Sequence, residues 1–267
     1  MDSVRAYQSM HYKGGPTGIL LLHGFTGTPY IFRDLAKGLE RLGYTVSAPL
    51  IAGHGTTPED LEKTTWRDWY KSVALAYDRL ADECPDGVFV LGASFGGNLA
   101  CYLAARKKVK GLILIGMPRW LYKQHLIVPG VWLSTMLRIR FFRKDRRYLN
   151  LRQLITGNGA LIGKDSVIGE TNRSYTKIPI ASMRQFFELV DHTGATLLRK
   201  IDAPTLIVQS TNDGIVKSSS GTYTFKHLRS AHKELVFINS PHHELHLNKE
   251  VRRDIFQEVK SFVVRWE

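Results

Sequence analysis

Short apolar runs alternate with amphipathic stretches along the chain, and the period of each run predicts its element. Gly18-Ile-Leu-Leu-Leu22 is apolar without interruption, as expected of a strand buried on both faces. A helix is predicted over Pro29–Leu42, closed by Gly43, then a strand over Tyr44–Ala48. Trp66–Cys84 has helical spacing, Val88–Leu91 reads as a strand, Phe95–Lys107 as a helix and Gly111–Ile115 as a further strand. Pro204–Gln209 and Leu235–Ile238 give two more strands, each followed by helical sequence. Strands alternating with helices predict an α/β fold, a mostly parallel sheet with helices on both faces.

After Met117 the rhythm stops, and the next helix that fits begins near Ser182. Connections in α/β units usually span about 2–6 residues, so this interval is expected to be a helical cap. The predicted organisation is a first core part over 1–117, a cap insertion over 118–182 and a second core part over 183–267. The cap would leave the sheet at a strand's carboxyl end, where such folds bind ligands.

Composition narrows the class. The chain has 267 residues, 43% hydrophobic and 23% charged, which excludes a disordered or collagenous protein. Two cysteines, Cys84 and Cys101, build no disulfide framework, and there is no CxxC pair for structural zinc. The first residues lack the basic and apolar regions of a secretory signal, and no run of about 18 apolar residues occurs, so a cytoplasmic protein is expected. Net charge is +13, and the 118–182 interval supplies most of it, with twelve Lys/Arg against three acids. The plain reading is a solvated face; the alternative is peripheral contact between a basic cap and anionic lipid. No recognition motif accompanies the charge, so nucleic acid is not an expected partner.

The sharpest chemical signal is Gly92-Ala-Ser94-Phe-Gly96, a G-x-S-x-G between a strand and a helix. That context places Ser94 on a tight turn with its hydroxyl at a helix N-terminus, as a nucleophile requires. Acyl transfer needs two N–H donors for the oxyanion. Phe95 follows the serine, and Phe25 lies in the loop His23-Gly-Phe-Thr-Gly27 after an earlier strand. A serine also needs a base and an acid, in the order Ser, acid, His for this architecture. Asp213 lies just past the strand Pro204–Gln209, at the same sheet edge as Ser94; Asp202 precedes that strand and Asp191 sits in a helix. The base comes from Ser240-Pro-His-His-Glu-Leu-His246, with His242 favoured over His243. His242, His243, Glu244 and His246 are also conceivable metal ligands, but they do not fit HExxH, and no metal or cofactor is expected. His23 and His54 are assigned structural roles. Trp132, Leu133, Met136 and Phe187 are candidates for contact with substrate.

Together these residues resemble the α/β-hydrolase superfamily, and among its members the bacterial carboxylesterases and monoacylglycerol lipases. The segments His23–Phe25, Gly53–Gly55, Gly92–Gly96, Asp213 and Ser240–His242 stand in the order seen there. The resemblance implies Ser94, Asp213 and His242 as triad, the Phe25 and Phe95 amides as oxyanion hole, and hydrolysis of a small-molecule acyl ester without a cofactor. A thioesterase or acyltransferase using the same triad is the alternative. Two positions depart from the pattern: Pro241 replaces a usual glycine, and Phe95 replaces a smaller residue after the serine, which would narrow the site.

Overall fold

The computed structural model describes residues 8–143, 175 and 177–267. In chain order its elements are β1 (Met10–Tyr12), β2 (Gly18–Leu22), α1 (Arg33–Glu40), β3 (Thr45–Ala48), α2 (Pro58–Glu62), α3 (Trp66–Glu83), β4 (Val88–Ala93), α4 (Phe95–Ala104) and β5 (Gly111–Ile115). They continue as α5 (Gln124–Met136), β6 (Phe141–Arg143), β7 (Lys177–Pro179), α6 (Ile180–His192), α7 (Ala195–Leu198), β8 (Thr205–Ser210), α8 (Ser219–His227), β9 (Lys233–Ile238) and α9 (Arg252–Trp266).

Seven strands form one sheet in the order β1-β3-β2-β4-β5-β8-β9. All neighbours pair in parallel except β1, which runs antiparallel to β3 with Met10 opposite Ala48. The period-two alternation of a strand then splits the core into two layers. Leu20 and Leu22 of β2, Val88 and Val90 of β4, and Leu112 and Leu114 of β5 face α3 and α4. Ile19 and Leu21, Phe89 and Leu91, and Ile113 and Ile115 face α1 and α9. Both faces are covered, which is why these strands carry no polar positions.

The element boundaries explain themselves locally. Helix α3 opens with a capping box, in which the Thr65 side chain accepts from the Asp68 N–H while Asp68 accepts from the Thr65 N–H. The predicted helix over Pro29–Leu42 is a 3-10 turn over Pro29–Phe32 followed by α1. Strand β1, only three residues long, is too short to show in the apolar pattern.

Within the interval after β5 the structure places α5 and an antiparallel β6–β7 pair, Phe142 opposite Ile178. Helix α6 begins at Ile180, two residues before the predicted helix start, and packs its Phe187 and Ile180 with Val131 of α5. The predicted cap residues Lys144, Asp145, Arg146, Arg147, Arg152, Lys164, Asp165, Glu170 and Arg173 lie outside the described residues. Segment Trp120–Tyr122, on the way to α5, is stitched to the loop after β8: Tyr122 N–H donates to Ile215 O (3.0 Å) and Lys217 N–H to Trp120 O (2.9 Å).

At the β4–α4 junction the packing admits only glycine. A Cβ on Gly96 would stand 2.6 Å from the Leu22 carbonyl carbon and 2.8 Å from His23 O, and one on Gly92 would strike the Gly96 carbonyl. Both obstacles are backbone and cannot step aside. Gly96→Ala is therefore expected to cost at least about 3 kcal/mol. Denaturant unfolding checks this, and a wild-type midpoint contradicts it.

Candidate active site

Ser94 sits between β4 and α4 with φ 52° and ψ −125°. A non-glycine residue there stores about 1–3 kcal/mol of strain and needs surrounding structure to hold it. Its N–H donates to Ile115 O (2.8 Å) and its carbonyl accepts from Gly97 N–H (2.8 Å). The turn lifts Oγ out of the sheet edge, over the first turn of α4, where helix N–H groups lack intrahelical acceptors. Phe95 occupies the first position of that turn.

The carboxylate comes from the loop after β8. Asp213 is buried, and its Oδ1 accepts the N–H groups of Ile215 (2.7 Å) and Val216 (3.1 Å). Burial alone would raise its pKa, but the facing His243 and these hydrogen bonds outweigh burial and lower it. The side chain is thus held as a carboxylate.

The imidazole that joins these two groups belongs to His243. Its Nδ1 lies 2.6 Å from Asp213 Oδ2 and its Nε2 2.8 Å from Ser94 Oγ. A carboxylate only accepts, so Nδ1 carries the proton and Nε2 presents a lone pair to the Ser94 hydroxyl. This corrects the expectation placed on His242. After β9, Ser240 binds back to the chain: its Oγ accepts His242 N–H (3.2 Å), and its carbonyl accepts the Ser210 hydroxyl. Pro241 offers no N–H to that turn, and it is the ring of His243, one residue further on than expected, that reaches Ser94. Gly116, at φ 60°, leaves room for the ring: a Cβ there would lie 3.4 Å from His243 Cε1.

The His23–Gly27 loop passes close enough to Ser94 that a Cβ added on Gly24 would come into ordinary contact with Ser94 Cβ, at 3.7 Å. Gly27 N–H donates to Gly24 O (3.0 Å), closing the loop around Phe25. Phe95 is fully buried and packs beneath that loop, 5.6 Å from the Phe25 ring. It does not line an open site, contrary to the expectation that it narrows one.

Other predicted residues fall into place or out of it. Trp132, Leu133 and Met136 stand exposed on α5, and the Arg184 guanidinium lies 4.5 Å from the Trp132 ring centre. Phe187 is buried with Val131 and Ile180. Next to it in the chain, half-buried Phe186 stacks on Phe25 at 5.2 Å and 30°. The helical pattern marked this face as apolar but did not say which residue meets the loop. Asp202 pairs with Arg229 and Asp191 with Arg119, both at the surface. Among the described residues no three His, Cys, Asp or Glu side chains gather as a metal site. Nor is any described helix long and apolar enough to cross a membrane.

Three further histidines are buried. His23 accepts from Ile51 N–H at Nε2 (3.2 Å), which leaves its Nδ1–H facing Gly24 O (3.0 Å). His54 lies 3.1 Å from Ala52 O through Nδ1, and its ring stacks on Phe95 at 5.7 Å. His246 stacks on Phe32 at 5.0 Å. Burial lowers their pKa values to about 3, about 4 and about 3, the neighbouring His54 and His243 adding to the effect on His23 and His246. All three are therefore neutral in the fold. Each folded pKa lies below the 6.5 of a free imidazole, so the unfolded chain binds protons first. Stability is then whole above pH 6.5 and falls as pH drops toward about 4. Each group contributes up to about 1.4 kcal/mol per pH unit. His246→Leu is expected to flatten this slope between pH 6.5 and 4.5 in denaturant titrations, and an unchanged slope contradicts it.

Known proteins resemble this chain over most of its length. The family described as serine aminopeptidase, S33 (Hydrolase_4), matches residues 17–250. The thermostable monoacylglycerol lipase of Bacillus sp. (strain H-257) is 33% identical over 244 residues, covering 88% of this chain and 86% of its own. The carboxylesterase of Bacillus subtilis (strain 168) is 26% identical over 253 residues, covering 92% and 93%. A solved structure from work on the metagenome-derived lipolytic enzymes LipS and LipT superposes with a TM-score of 0.80 at 25% identity, covering 97% of this chain and 98% of that one. Fold, motif order and these matches together make the chain a member of the serine aminopeptidase S33 (Hydrolase_4) family, with the α/β-hydrolase fold.

Proposed function

We propose that this protein is a serine hydrolase of carboxylic esters, of the carboxylesterase or monoacylglycerol lipase type. The hydrogen-bonded chain from Ser94 through His243 to Asp213 carries the reading. His243 Nε2 takes the hydroxyl proton as Ser94 Oγ attacks the ester carbonyl carbon. Asp213 keeps the other ring nitrogen protonated and stabilises the imidazolium that forms. The oxyanion accepts from the N–H groups of Phe25 and Phe95, each worth about 3–4 kcal/mol in the transition state. His243 then gives its proton to the departing alcohol, leaving an acyl-Ser94 ester. Water, deprotonated by the same imidazole, attacks that ester and releases the acid.

Two observations support an ester substrate over a peptide. Recognition of a free amino terminus calls for a carboxylate without a partner. Among the described residues, Glu59 of α2 pairs with Lys177, Glu62 of α2 with Arg140, and Glu188 of α6 with Arg67 and the Trp66 indole N–H. The relatives named above are a monoacylglycerol lipase and a carboxylesterase. The exposed apolar side chains Leu126, Trp132, Leu133 and Met136 of α5 suit an apolar acyl chain, and contact with an anionic lipid surface through the cap belongs to the same proposal.

Hydrolysis of p-nitrophenyl esters and monoacylglycerols of graded length tests this. Ser94→Ala and His243→Ala are each expected to lose at least about 10⁴-fold in kcat. His242→Ala should stay within about threefold of wild type, because its imidazole meets neither Ser94 nor Asp213. A His242→Ala enzyme without activity beside an active His243→Ala enzyme would reverse the assignment. Turnover of acyl thioesters alone would replace ester hydrolysis by a thioesterase reading.

A further inference from the structure

Four rings pack on Phe25 among the described residues: Phe186 at 5.2 Å, Phe95 at 5.6 Å, Trp69 at 5.8 Å and His54 at 6.0 Å. Phe95, Trp69 and His54 are buried, and belong to α4, α3 and the loop after β3. Phe186 differs in origin. It comes from α6, the helix into which the chain returns directly from the β6–β7 pair. Its ring meets that of Phe187 at 5.2 Å and 69°, and Phe187 is buried with Val131 of α5 and Ile180. Apolar contacts thus run without a break from α5 through Phe187 and Phe186 to the His23–Gly27 loop.

Backbone and His23 hydrogen bonds hold that loop at Gly24, whose carbonyl meets Gly27 N–H and His23 Nδ1, while Phe25 is held through its ring. Phe25 lies between Gly24 and Gly27, and Thr26 takes φ 60°. Glycines give the backbone freedom, so where the Phe25 side chain is held bears on the direction of the Phe25 N–H. We propose that Phe186 is a positioning residue for ester hydrolysis, locking the Phe25 ring so that the Phe25 N–H points to the oxyanion on the Ser94 adduct, and that α5 acts on catalysis through Val131, Phe187 and Phe186. The inference rests on the reading of Phe25 as an oxyanion donor. Phe186 itself touches no reacting atom. Its loss weakens a contact made through Phe25, so the effect falls on the transition state more than on the bound substrate.

The test uses the full chain as wild type, Phe186→Ala, Phe186→Leu and Val131→Ala. Each is assayed for kcat and KM on one p-nitrophenyl ester and for inhibition by an alkyl trifluoromethyl ketone, which forms a tetrahedral oxyanion on the serine. Phe186→Ala is expected to lose about three- to tenfold in kcat at nearly constant KM, the scale of one aromatic pair. Its affinity for the ketone should fall by a similar factor. Phe186→Leu should recover most of the loss, and Val131→Ala should show a smaller loss in kcat alone. A rise in KM with kcat unchanged makes Phe186 a wall of the substrate pocket and overturns the proposal, as do wild-type constants for Phe186→Ala. Should Phe186→Ala lose its near-ultraviolet circular dichroism, the kcat and KM of the other two variants decide on the same criteria. Failure of the underlying reading has a separate signature: wild-type enzyme would bind the ketone no tighter than the matching alcohol, whatever residue stands at 186.

Discussion

The contact between Ser94 Oγ and His243 Nε2, 2.8 Å long, joins side chains 149 residues apart, and most of the architecture serves to hold those two atoms at that distance. Neither group would stay there by itself. Ser94 occupies a left-handed turn that costs energy, and His243 ends a loop reached from the sheet's far strand. The turn persists because Gly92 and Gly96 let the β4–α4 junction close against the β2 carbonyls. The loop persists because Ser210 and Ser240 tie the segments after β8 and β9 together, and because Asp213 holds the far side of the imidazole. Parallel strands bring all three loops to one edge, and the chain need only supply the right residue at each.

The surroundings of this contact are apolar, which decides the charge states. Burial keeps His23, His54 and His246 neutral, so none of them adds a cation to the interior. Asp213 keeps its charge in the same environment because two backbone N–H groups and His243 compensate for the lost water. His23 also fastens the Gly24 carbonyl to the chain at Ile51, giving a buried histidine a mechanical use without a chemical one.

Much of this was legible in the residues themselves. Strands β2 and β5 were read to the residue, because a run apolar at every position can only be covered on both faces. Ser94 followed from a motif whose strand–turn–helix setting is also visible in sequence, and Asp213 from its place after a strand. The histidine was misplaced by one residue. The resemblance counted from Ser240, and the effect of Pro241 on the turn depends on tertiary hydrogen bonds that no local pattern records. Phe186 and Phe187 both fit an apolar helix face, and only the packing of α6 shows that Phe186 meets Phe25 while Phe187 packs with Val131 and Ile180. Strand β1 was missed because its support lies in pairing with β3.

The central claim is that Asp213, His243 and Ser94 form one proton relay, and nuclear magnetic resonance of enzyme labelled with ¹⁵N-histidine addresses it directly. With Ser94 captured as a boronate adduct, the account predicts a strongly deshielded ring N–H proton on His243 Nδ1 that vanishes in Asp213→Ala. Assignment of that proton to His242, or its survival without Asp213, would contradict the account.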